Sequence, residues 1–256
     1  MAIIVKSPSE IAAMRRAGMV VASILKILSK EIKPGMTTHQ LDEIAVRELA
    51  LYGATPSFKG YRGFPAALCV SINDEIVHGI PGERVIREDD IVSLDFGAIV
   101  DGFHGDAALT VGLGNISPQA KQLLEVTRGC LETGIAVARA GAHLGDISAA
   151  VQHCAESRGF SVVREYAGHG IGREMHEEPQ IPNFGPPGHG PILHKGMTLA
   201  IEPMVNIGGW ETKVKNDHWT VATADNSLSA HFEKTIAISD GAAEVLTPWD
   251  HVVLGC

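Results

Sequence analysis

Cysteines are few and scattered in this 256-residue chain, so a disulfide framework and a thiolate metal site are both disfavoured. No two of them form a C-x-x-C pair, which argues against a zinc ribbon or a thioredoxin-type motif and fits a reducing compartment. A chain of this length buries enough surface to fold without covalent cross-links. The four positions are Cys69, Cys130, Cys154 and Cys256.

Long hydrophobic runs are also missing. The best candidate, residues 18–28, is interrupted by Lys26 and falls short of the roughly 18 apolar residues that a membrane span needs. Only Met-Ala-Ile-Ile-Val precedes Lys6 and Pro8, too short an apolar stretch for a signal-peptide core. These absences predict a soluble, cytoplasmic protein.

Basic residues are outnumbered, with 21 Lys and Arg against 30 Asp and Glu and a net charge of −9. Without a basic stripe to neutralise phosphates, stable nucleic-acid binding is disfavoured. An acidic chain suits divalent cations, or a substrate that carries a free amine. The content of 45% hydrophobic and 20% charged residues is that of an ordered globular protein.

The order of predicted elements indicates an α+β fold in one compact domain, residues 1–256. Ser7-Pro8-Ser9-Glu10 has the pattern of a capping box. Helical spacing of apolar residues follows until Lys33-Pro34-Gly35. Two helices followed by strands occur twice, which suggests a duplicated unit, although no internal sequence repeat is clear. The further helices are expected near 37–53, 118–139 and 145–157, the aromatic- and glycine-rich loop at 54–68, the strands at 68–72, 91–100 and 103–113, and short strands after 162.

Two aspartates in a predicted hairpin are the most informative feature. Asp101-Gly102 lies between two strand-like runs and is a strong two-residue turn signal. With that turn, position 97 faces position 106, so Asp95 and Asp106 share one face of the sheet as diagonal neighbours. A β-bulge at Gly105 would break this parity. Each aspartate alone fits a capped turn or strand end, but the pair favours a metal site.

Two histidines follow in glycine- and acid-rich segments. His169 lies in Gly168-His169-Gly170, where the flanking glycines leave the imidazole accessible; a structural histidine is the ordinary alternative. The H-E-x-x-H zinc motif fails after His176, because position 180 is Gln and Pro179 would break the helix. We therefore expect His176 in a loop beside a site.

Two glutamates lie within apolar runs that favour strands. Glu202 follows Met-Thr-Leu-Ala-Ile, and a carboxylate buried there must be paired, protonated or bound to metal. Glu233 occurs in Ala-His-Phe-Glu-Lys. Ion pairing is the alternative for both glutamates, and the candidate partners are Lys213, Lys215 and Lys234.

Together the candidates form an oxygen-rich donor set with too much negative charge for one divalent ion. Two divalent ions bridged by carboxylates would balance it, and oxygen with some nitrogen suits Mn, Fe, Co or Zn. Two such ions, about 3.5–4 Å apart, generate a nucleophile at neutral pH. The set comprises Asp95, Asp106, His169, Glu202 and Glu233.

At this point the motifs closely resemble those of type I methionine aminopeptidases. The segments LDFGAIVDGFHGDAA, GHGIGREMHEEPQIPN, MTLAIEPMVNIGG and SLSAHFEKTIAIS carry the resemblance, which extends over essentially the whole chain. It implies the pita-bread fold, with two pseudo-symmetric halves and a central antiparallel sheet around a dinuclear metal site. It also implies removal of the initiator methionine from nascent chains, preferably when the second residue is small.

The resemblance also implies a role for each site residue. Asp95 would ligate one ion, Asp106 and Glu233 would bridge both, and His169 and Glu202 would complete the second. Glu202 would also accept a proton during attack on the scissile carbonyl. His78 and His176 match the histidines that contact the substrate amide and the tetrahedral intermediate. The methionine pocket would be lined by Tyr61, Phe64, Cys69, Met175 and Trp219.

Three positions depart from the commoner family pattern. Phe64 replaces a frequent tyrosine and Met175 a frequent aromatic residue, which predicts a softer pocket because methionine is adaptable. His231 occupies a position where glutamine is common. It would share a face with Glu233 and affect metal loading, or, as the favoured expectation, be a simple surface histidine.

Related activities are disfavoured by what surrounds the candidate ligands. Prolidases and proline aminopeptidases share the five ligands but carry a large amino-terminal domain, and type II enzymes carry an inserted helical subdomain; neither is evident here. A catalytically silent relative is disfavoured because all five ligands are present. A phosphoesterase lacks support because no phosphate-cradling loop or arginine cluster accompanies the site. The resemblance implies a monomer that meets the ribosome only in passing.

Overall fold

The computed structural model describes residues 2–249. Within that range four α-helices pack against antiparallel strands, in the order helix pair, strands, helix pair, strands that the sequence predicts. The helices are α1 (Pro8–Glu31), α2 (Thr38–Leu51), α3 (Pro118–Val137) and α4 (Leu144–Glu156), with a 3₁₀ turn at Tyr61–Gly63. The strands are β1 (Thr55–Pro56), β2 (Leu68–Ile72), β3 (Glu75–Val77), β4 (Ile91–Val100), β5 (Phe103–Gly112), β6 (Ser161–Val162), β7 (Ala167–Gly170), β8 (Glu177–Pro182), β9 (Thr198–Ile201), β10 (Met204–Asn206), β11 (Thr212–Val214), β12 (Val221–Thr223), β13 (Ser229–His231), β14 (Glu233–Ala237) and β15 (Glu244–Val245).

The first helix begins where the sequence predicts. The Ser7 side chain accepts from the Glu10 backbone N–H while the Glu10 side chain accepts from the Ser7 backbone, a complete capping box with Pro8 in the first turn. This satisfies amide groups that otherwise lack intrahelical partners. The helix ends at Glu31, before Lys33-Pro34-Gly35.

One large antiparallel sheet holds the molecule together. Within residues 2–249 it has nine strands in the order β1-β4-β5-β14-β9-β7-β8, with β2 paired to β4 and β15 paired to β14. Two three-stranded sheets, β13-β10-β6 and β11-β12-β3, lie beside it. The sheet therefore joins strands that follow the first helix pair to strands that follow the second, which sets residues far apart in sequence side by side.

The helices cover the sheet through a hydrophobic core that contains residues of all four. Close approach of α1 to the sheet depends on glycine. A Cβ at Gly105 of β5 would lie 2.8 Å from the backbone nitrogen of Gly18, and a Cβ at Gly18 would overlap Leu246. Gly105 thus serves helix packing rather than the bulge considered above.

None of the helices in residues 2–249 has the length and apolar character needed to cross a bilayer. The cysteines in this range, Cys69, Cys130 and Cys154, are buried free thiols. Cys256 lies outside the described residues.

Candidate metal centre and substrate pocket

The β4–β5 hairpin places its two aspartates as predicted. The register runs unbroken from Ile91↔Gly112 to Val100↔Phe103, with Gly97 opposite Asp106 and Asp95 opposite Ala108. Asp106 is buried, and both aspartates line one cavity. The regular register confirms the prediction that both carboxylates lie on one face of the sheet.

The neighbouring strands bring the other three candidates to the same face. Glu233 of β14 pairs with Ala108, so it occupies the same row as Asp95 with Ala108 between them. His169 of β7 pairs with Ala200 of β9. Glu202 follows β9 directly; the expectation that it lies inside a strand was wrong by one residue, because β9 ends at Ile201 before Pro203.

The ligand atoms of this group converge. Asp106, His169 and Glu233 each offer one such atom, and these atoms lie within 4.8 Å of one another. His169 Nε2 is 3.9 Å from Asp106 Oδ2 and 3.6 Å from Glu202 Oε1. His169 Nδ1 is 2.8 Å from the Gly170 carbonyl oxygen, to which it donates. A donated Nδ1–H fixes the tautomer and directs Nε2 to the carboxylates, as in metal-binding histidines.

Burial makes this carboxylate group unstable as a set of bare anions. Burial raises the pKa of Asp95 to about 7. It also raises the pKa values of Asp106, Glu202 and Glu233 well above the ordinary range, and repulsion by the neighbouring carboxylates raises them further. Ionised carboxylates in this position therefore need a nearby positive charge.

Two of the lysines considered as partners bind elsewhere. Lys215 Nζ is 2.8 Å from Glu75 Oε1 and 3.6 Å from Asp74 Oδ2. Lys213 Nζ donates to the side-chain oxygen of Asn226. Lys234 Nζ lies 4.5 Å from the ring centroid of Trp249. Ion pairing with Lys213 or Lys215 therefore does not account for Glu202 and Glu233.

Unsatisfied oxygens show that the residues present fit divalent cations. Among the described residues, Asp95 Oδ1, Asp106 Oδ1 and Glu233 Oε1 are buried with no hydrogen-bond partner. Buried polar atoms are almost always satisfied, so three orphaned oxygens at one point call for a ligand. Carboxylate oxygens with one imidazole nitrogen are a donor set that Mn, Fe, Co or Zn accepts.

Apolar side chains form a second part of the wall of the same cavity, whose volume is about 140 Å³. A space of this size holds a small apolar group such as benzene. Phe64 meets Trp219 edge to face, with centroids 5.2 Å apart. All five predicted pocket residues line the cavity: Tyr61, Phe64, Cys69, Met175 and Trp219. Phe58 and Arg62 also line it and were not predicted, although both lie in the loop that the sequence marks as shaped.

The two predicted substrate-contacting histidines, His78 and His176, line the same cavity. His176 is in the loop before β8 rather than on a helix, as expected, and its Nδ1 is 2.9 Å from the Tyr61 hydroxyl. Its ring centroid is 4.1 Å from that of His169. Burial lowers the pKa of His78 to about 4. His176 is more exposed, and partial desolvation together with the neighbouring His169 and Arg62 lowers its pKa to about 3. Both imidazoles are therefore neutral at pH 7 and each can donate one hydrogen bond.

His231 corrects the sequence interpretation. The favoured expectation was a surface histidine, but its side chain is only 1% exposed. β13 is a buried strand: His231 pairs with Met204 of β10, and its backbone N–H and carbonyl both bond to the Thr110 hydroxyl of β5. Its Nε2 lies 3.9 Å from Glu202 Oε2 and 4.0 Å from Glu233 Oε2.

Known proteins with similar sequences and folds are methionine aminopeptidases. Methionine aminopeptidase 1 of Bacillus subtilis is 53% identical over 245 residues, covering 96% of this chain and 99% of that protein. The methionine aminopeptidase of Clostridium perfringens is 50% identical over 245 residues, covering 96% and 98%. The crystal structure of methionine aminopeptidase from Thermotoga maritima superposes with a TM-score of 0.95 at 48% identity, covering 96% of this chain and 99% of that one.

A more distant structure shows how far the fold extends. The prolidase of Pyrococcus horikoshii matches with a TM-score of 0.80 at 19% identity, covering 98% of this chain but 65% of the prolidase. These likenesses confirm the predicted pita-bread fold. Residues 12–240 match the sequence model of metallopeptidase family M24. The chain therefore belongs to metallopeptidase family M24.

Proposed function

We propose that this protein is a methionine aminopeptidase, which hydrolyses the peptide bond after an N-terminal methionine. The observation that carries the proposal is the composition of a single cavity. One wall presents buried carboxylates with orphaned oxygens, and the other presents aromatic and sulfur-containing side chains. The first wall suits metal-assisted hydrolysis and the second suits a methionine side chain.

In this proposal the five acidic and imidazole groups hold two divalent ions, of Mn, Fe, Co or Zn. Asp95, Asp106 and Glu233 would hold one ion, and Asp106 and Glu233 together with His169 and Glu202 would hold the second. Bound ions supply Lewis-acid polarisation of the scissile carbonyl and a nucleophile at neutral pH. The support is the shared face of these residues, the 4.8 Å convergence of three of them, and the orphaned oxygens.

The protein side chains then bind the peptide and move protons. Glu202 would take up the proton released during attack on the scissile carbonyl, the role of a positioned general base. His78 and His176, neutral at pH 7, hydrogen-bond the substrate amide and the developing tetrahedral oxygen. The methionine side chain packs between Phe64, Met175 and Trp219, and the acidic wall attracts the free amine of the substrate.

The biological substrate that follows is the amino terminus of a nascent chain whose second residue is small. We further propose that residues 1–256 act as a single catalytic domain, as a cytoplasmic monomer, with only a passing contact with the ribosome. The net charge of −9 supports the absence of stable nucleic-acid binding.

Peptide cleavage tests the proposal. Metal-free protein is reloaded with Mn, Co, Fe or Zn and incubated with Met-Ala-Ser, Met-Arg-Ser, Leu-Ala-Ser and Ala-Pro, and free amino acids are quantified by chromatography. We expect methionine release from Met-Ala-Ser, far less from the other peptides, and complete loss after chelation. Cleavage of Ala-Pro in place of Met-Ala-Ser would assign a prolidase-like activity. Hydrolysis that persists in metal-free protein would contradict the dinuclear mechanism.

A further inference from the structure

The imidazole of His231 is buried beside the candidate metal centre, and nothing in the ligand assignment above accounts for it. Both of its ring nitrogens are buried and have no hydrogen-bond partner among the described residues. A neutral imidazole carries one N–H, and a buried donor without a partner costs about 1–3 kcal/mol. A hydrogen bond from this N–H to a nearby acceptor would remove the cost.

The nearest acceptors are two of the proposed metal ligands. Nε2 of His231 lies 3.9 Å from Glu202 Oε2 and 4.0 Å from Glu233 Oε2. On the other side of the same Glu202 carboxylate, His169 Nε2 lies 3.6 Å from Oε1. The two imidazoles therefore face different oxygens of one carboxylate, and Oε1 is the oxygen beside the proposed co-ligand His169.

We propose that His231 is a positioning residue that donates its Nε2–H to Oε2 of Glu202, the oxygen turned away from His169. The bond holds the carboxylate in one orientation, with Oε1 free to ligate the second ion. Closing the gap to a hydrogen bond requires an approach of about 1 Å, since N–H···O distances centre near 2.9–3.0 Å. The inference deepens the proposed function and rests on its assignment of Glu202.

The surroundings of the ring favour a donor over a sixth metal ligand. A histidine that ligates metal through one nitrogen normally donates its other N–H to a nearby acceptor. His169 does so, with Nδ1 2.8 Å from the Gly170 oxygen. His231 Nδ1 has no partner, so ligation through Nε2 would leave a buried N–H unsatisfied at Nδ1. With the proton on Nε2, the atom left without a partner is the Nδ1 acceptor rather than a buried N–H donor.

The backbone at this position is held independently of the ring. The His231 N–H donates to Thr110 Oγ1 at 3.0 Å, and the Thr110 hydroxyl donates to the His231 carbonyl oxygen at 2.8 Å. His231 also pairs with Met204 across β13 and β10. The side chain can therefore be replaced while the strand keeps its place.

A matched pair of variants tests the proposal. His231→Gln keeps an N–H donor at a comparable reach, whereas His231→Leu keeps the bulk and removes the donor. Metal-free proteins are titrated with Mn or Co by calorimetry, which resolves the two ions. We expect His231→Leu to weaken the second ion about 10–100-fold, the typical cost of losing such a partner, and to leave the first unchanged. His231→Gln should stay within a few-fold of wild type.

The kinetic readout separates positioning from packing. We expect His231→Leu to lower kcat for Met-Ala-Ser with little change in KM, and His231→Gln to restore it. In a Glu202→Gln background His231→Leu should add almost no further loss, because the two changes act through one carboxylate. Should His231→Leu not fold, His231→Asn, whose amide is too short to reach Glu202, takes its place and is expected to behave in the same way.

Three results would overturn the proposal. Wild-type metal affinity in His231→Leu would leave the ring a packing role only. A His231→Gln variant as weak as His231→Leu, with a changed visible spectrum of the Co-loaded protein, would make the imidazole a ligand. If the losses of kcat caused by His231→Leu and Glu202→Gln added up in the double variant, His231 would not act through the Glu202 carboxylate. Metal affinity is measured without peptide, so a failure of the proposed methionine release would leave these results readable.

Discussion

The two walls of the cavity differ in how the chain builds them. The charged wall takes its residues from β4, β5, β7, β14 and the residue after β9, which only the sheet brings together. Much of the apolar wall comes from one stretch, with Phe58, Tyr61, Phe64 and Cys69 within twelve residues of sequence. The first wall depends on strand register and the second on the shape of a loop.

This difference assigns catalysis to the charged wall and substrate specificity to the apolar wall. A ligand set must be held to within fractions of an ångström, and paired strands supply that rigidity. An apolar pocket tolerates small changes in shape because its contacts are individually weak and non-directional. Changes in the charged wall should therefore affect kcat and metal binding, whereas changes in the apolar wall should affect which side chain is accepted.

The largest effect is expected from removing the proton acceptor of the charged wall. Glu202→Gln should retain metal at the first site and lower kcat by about 10²–10⁴-fold, the usual contribution of a positioned general base. Steady-state kinetics on Met-Ala-Ser and a metal count by mass spectrometry measure both quantities. Glu174→Gln, an exposed glutamate in the loop before β8, is the control. An unimpaired kcat in Glu202→Gln would remove its role as the base.

A smaller effect is expected in the apolar wall. Met175→Ala should lower kcat/KM for methionyl peptides by about 10–100-fold, because a few missing methylene contacts are each worth roughly 1 kcal/mol. Selection between methionyl and leucyl peptides should weaken as well, and metal content should not change. Competition between Met-Ala-Ser and Leu-Ala-Ser measures the selection. Met19→Ala, at an exposed methionine on α1, is the control; equal losses in both variants would contradict pocket specificity.

The charged wall also predicts how the metal-free protein responds to pH. Raised pKa values mean that the folded state binds protons that the unfolded state has lost, so this stability is lost as pH rises. The histidines with lowered pKa values, including His78 and His169, oppose this trend only below about pH 6.5. Between pH 6.5 and 8 the free energy of unfolding should therefore fall. Each carboxyl that is protonated in the folded state and ionised in the unfolded state contributes a fall of about 1.4 kcal/mol per pH unit.

Denaturant titrations in the presence of a chelator measure this slope. Glu233→Gln should make it shallower, because one carboxyl no longer titrates. Saturating metal should abolish the fall, because ligation requires ionised carboxylates. A free energy of unfolding that stays constant or rises from pH 6.5 to 8 in the metal-free wild type would show that these carboxylates are already compensated.

The smallest effect is expected for an ion pair outside the cavity. Arg15 and Glu244 form an exposed pair, with Nε 2.6 Å from Oε1 and side chains 47% and 42% exposed. Arg15→Gln should change the free energy of unfolding by about 0.2–1 kcal/mol and leave kcat unchanged, since solvent and salt screen such pairs. If Arg15→Gln lowered the free energy of unfolding by several kcal/mol, solvent would not screen this exposed ion pair as expected. Chemical denaturation with parallel kinetics measures both quantities.

Much of the site could be predicted from local patterns, and the errors have a common cause. The Asp101-Gly102 turn fixed the hairpin register, from which the shared face of Asp95 and Asp106 followed. His231 was misjudged because its burial depends on the packing of β13 against β10 and β5, which are distant in sequence. Arg62 gave no signal of its own: it lines the cavity from a left-handed backbone, with φ of 50°, which an arginine rarely adopts.

The sequence alone determined the hairpin, the helix boundaries and the types of residue available for chemistry, because turns, caps and periodicity act between near neighbours. Only the tertiary structure decided that Glu233 shares a row with Asp95, that His169 reaches Asp106 and Glu202, and that His231 faces Glu202. These contacts join strands up to 138 residues apart through the pairing of β5, β14, β9 and β7. Such pairings arise when the two helix-and-strand units close into one sheet, and no local propensity encodes them.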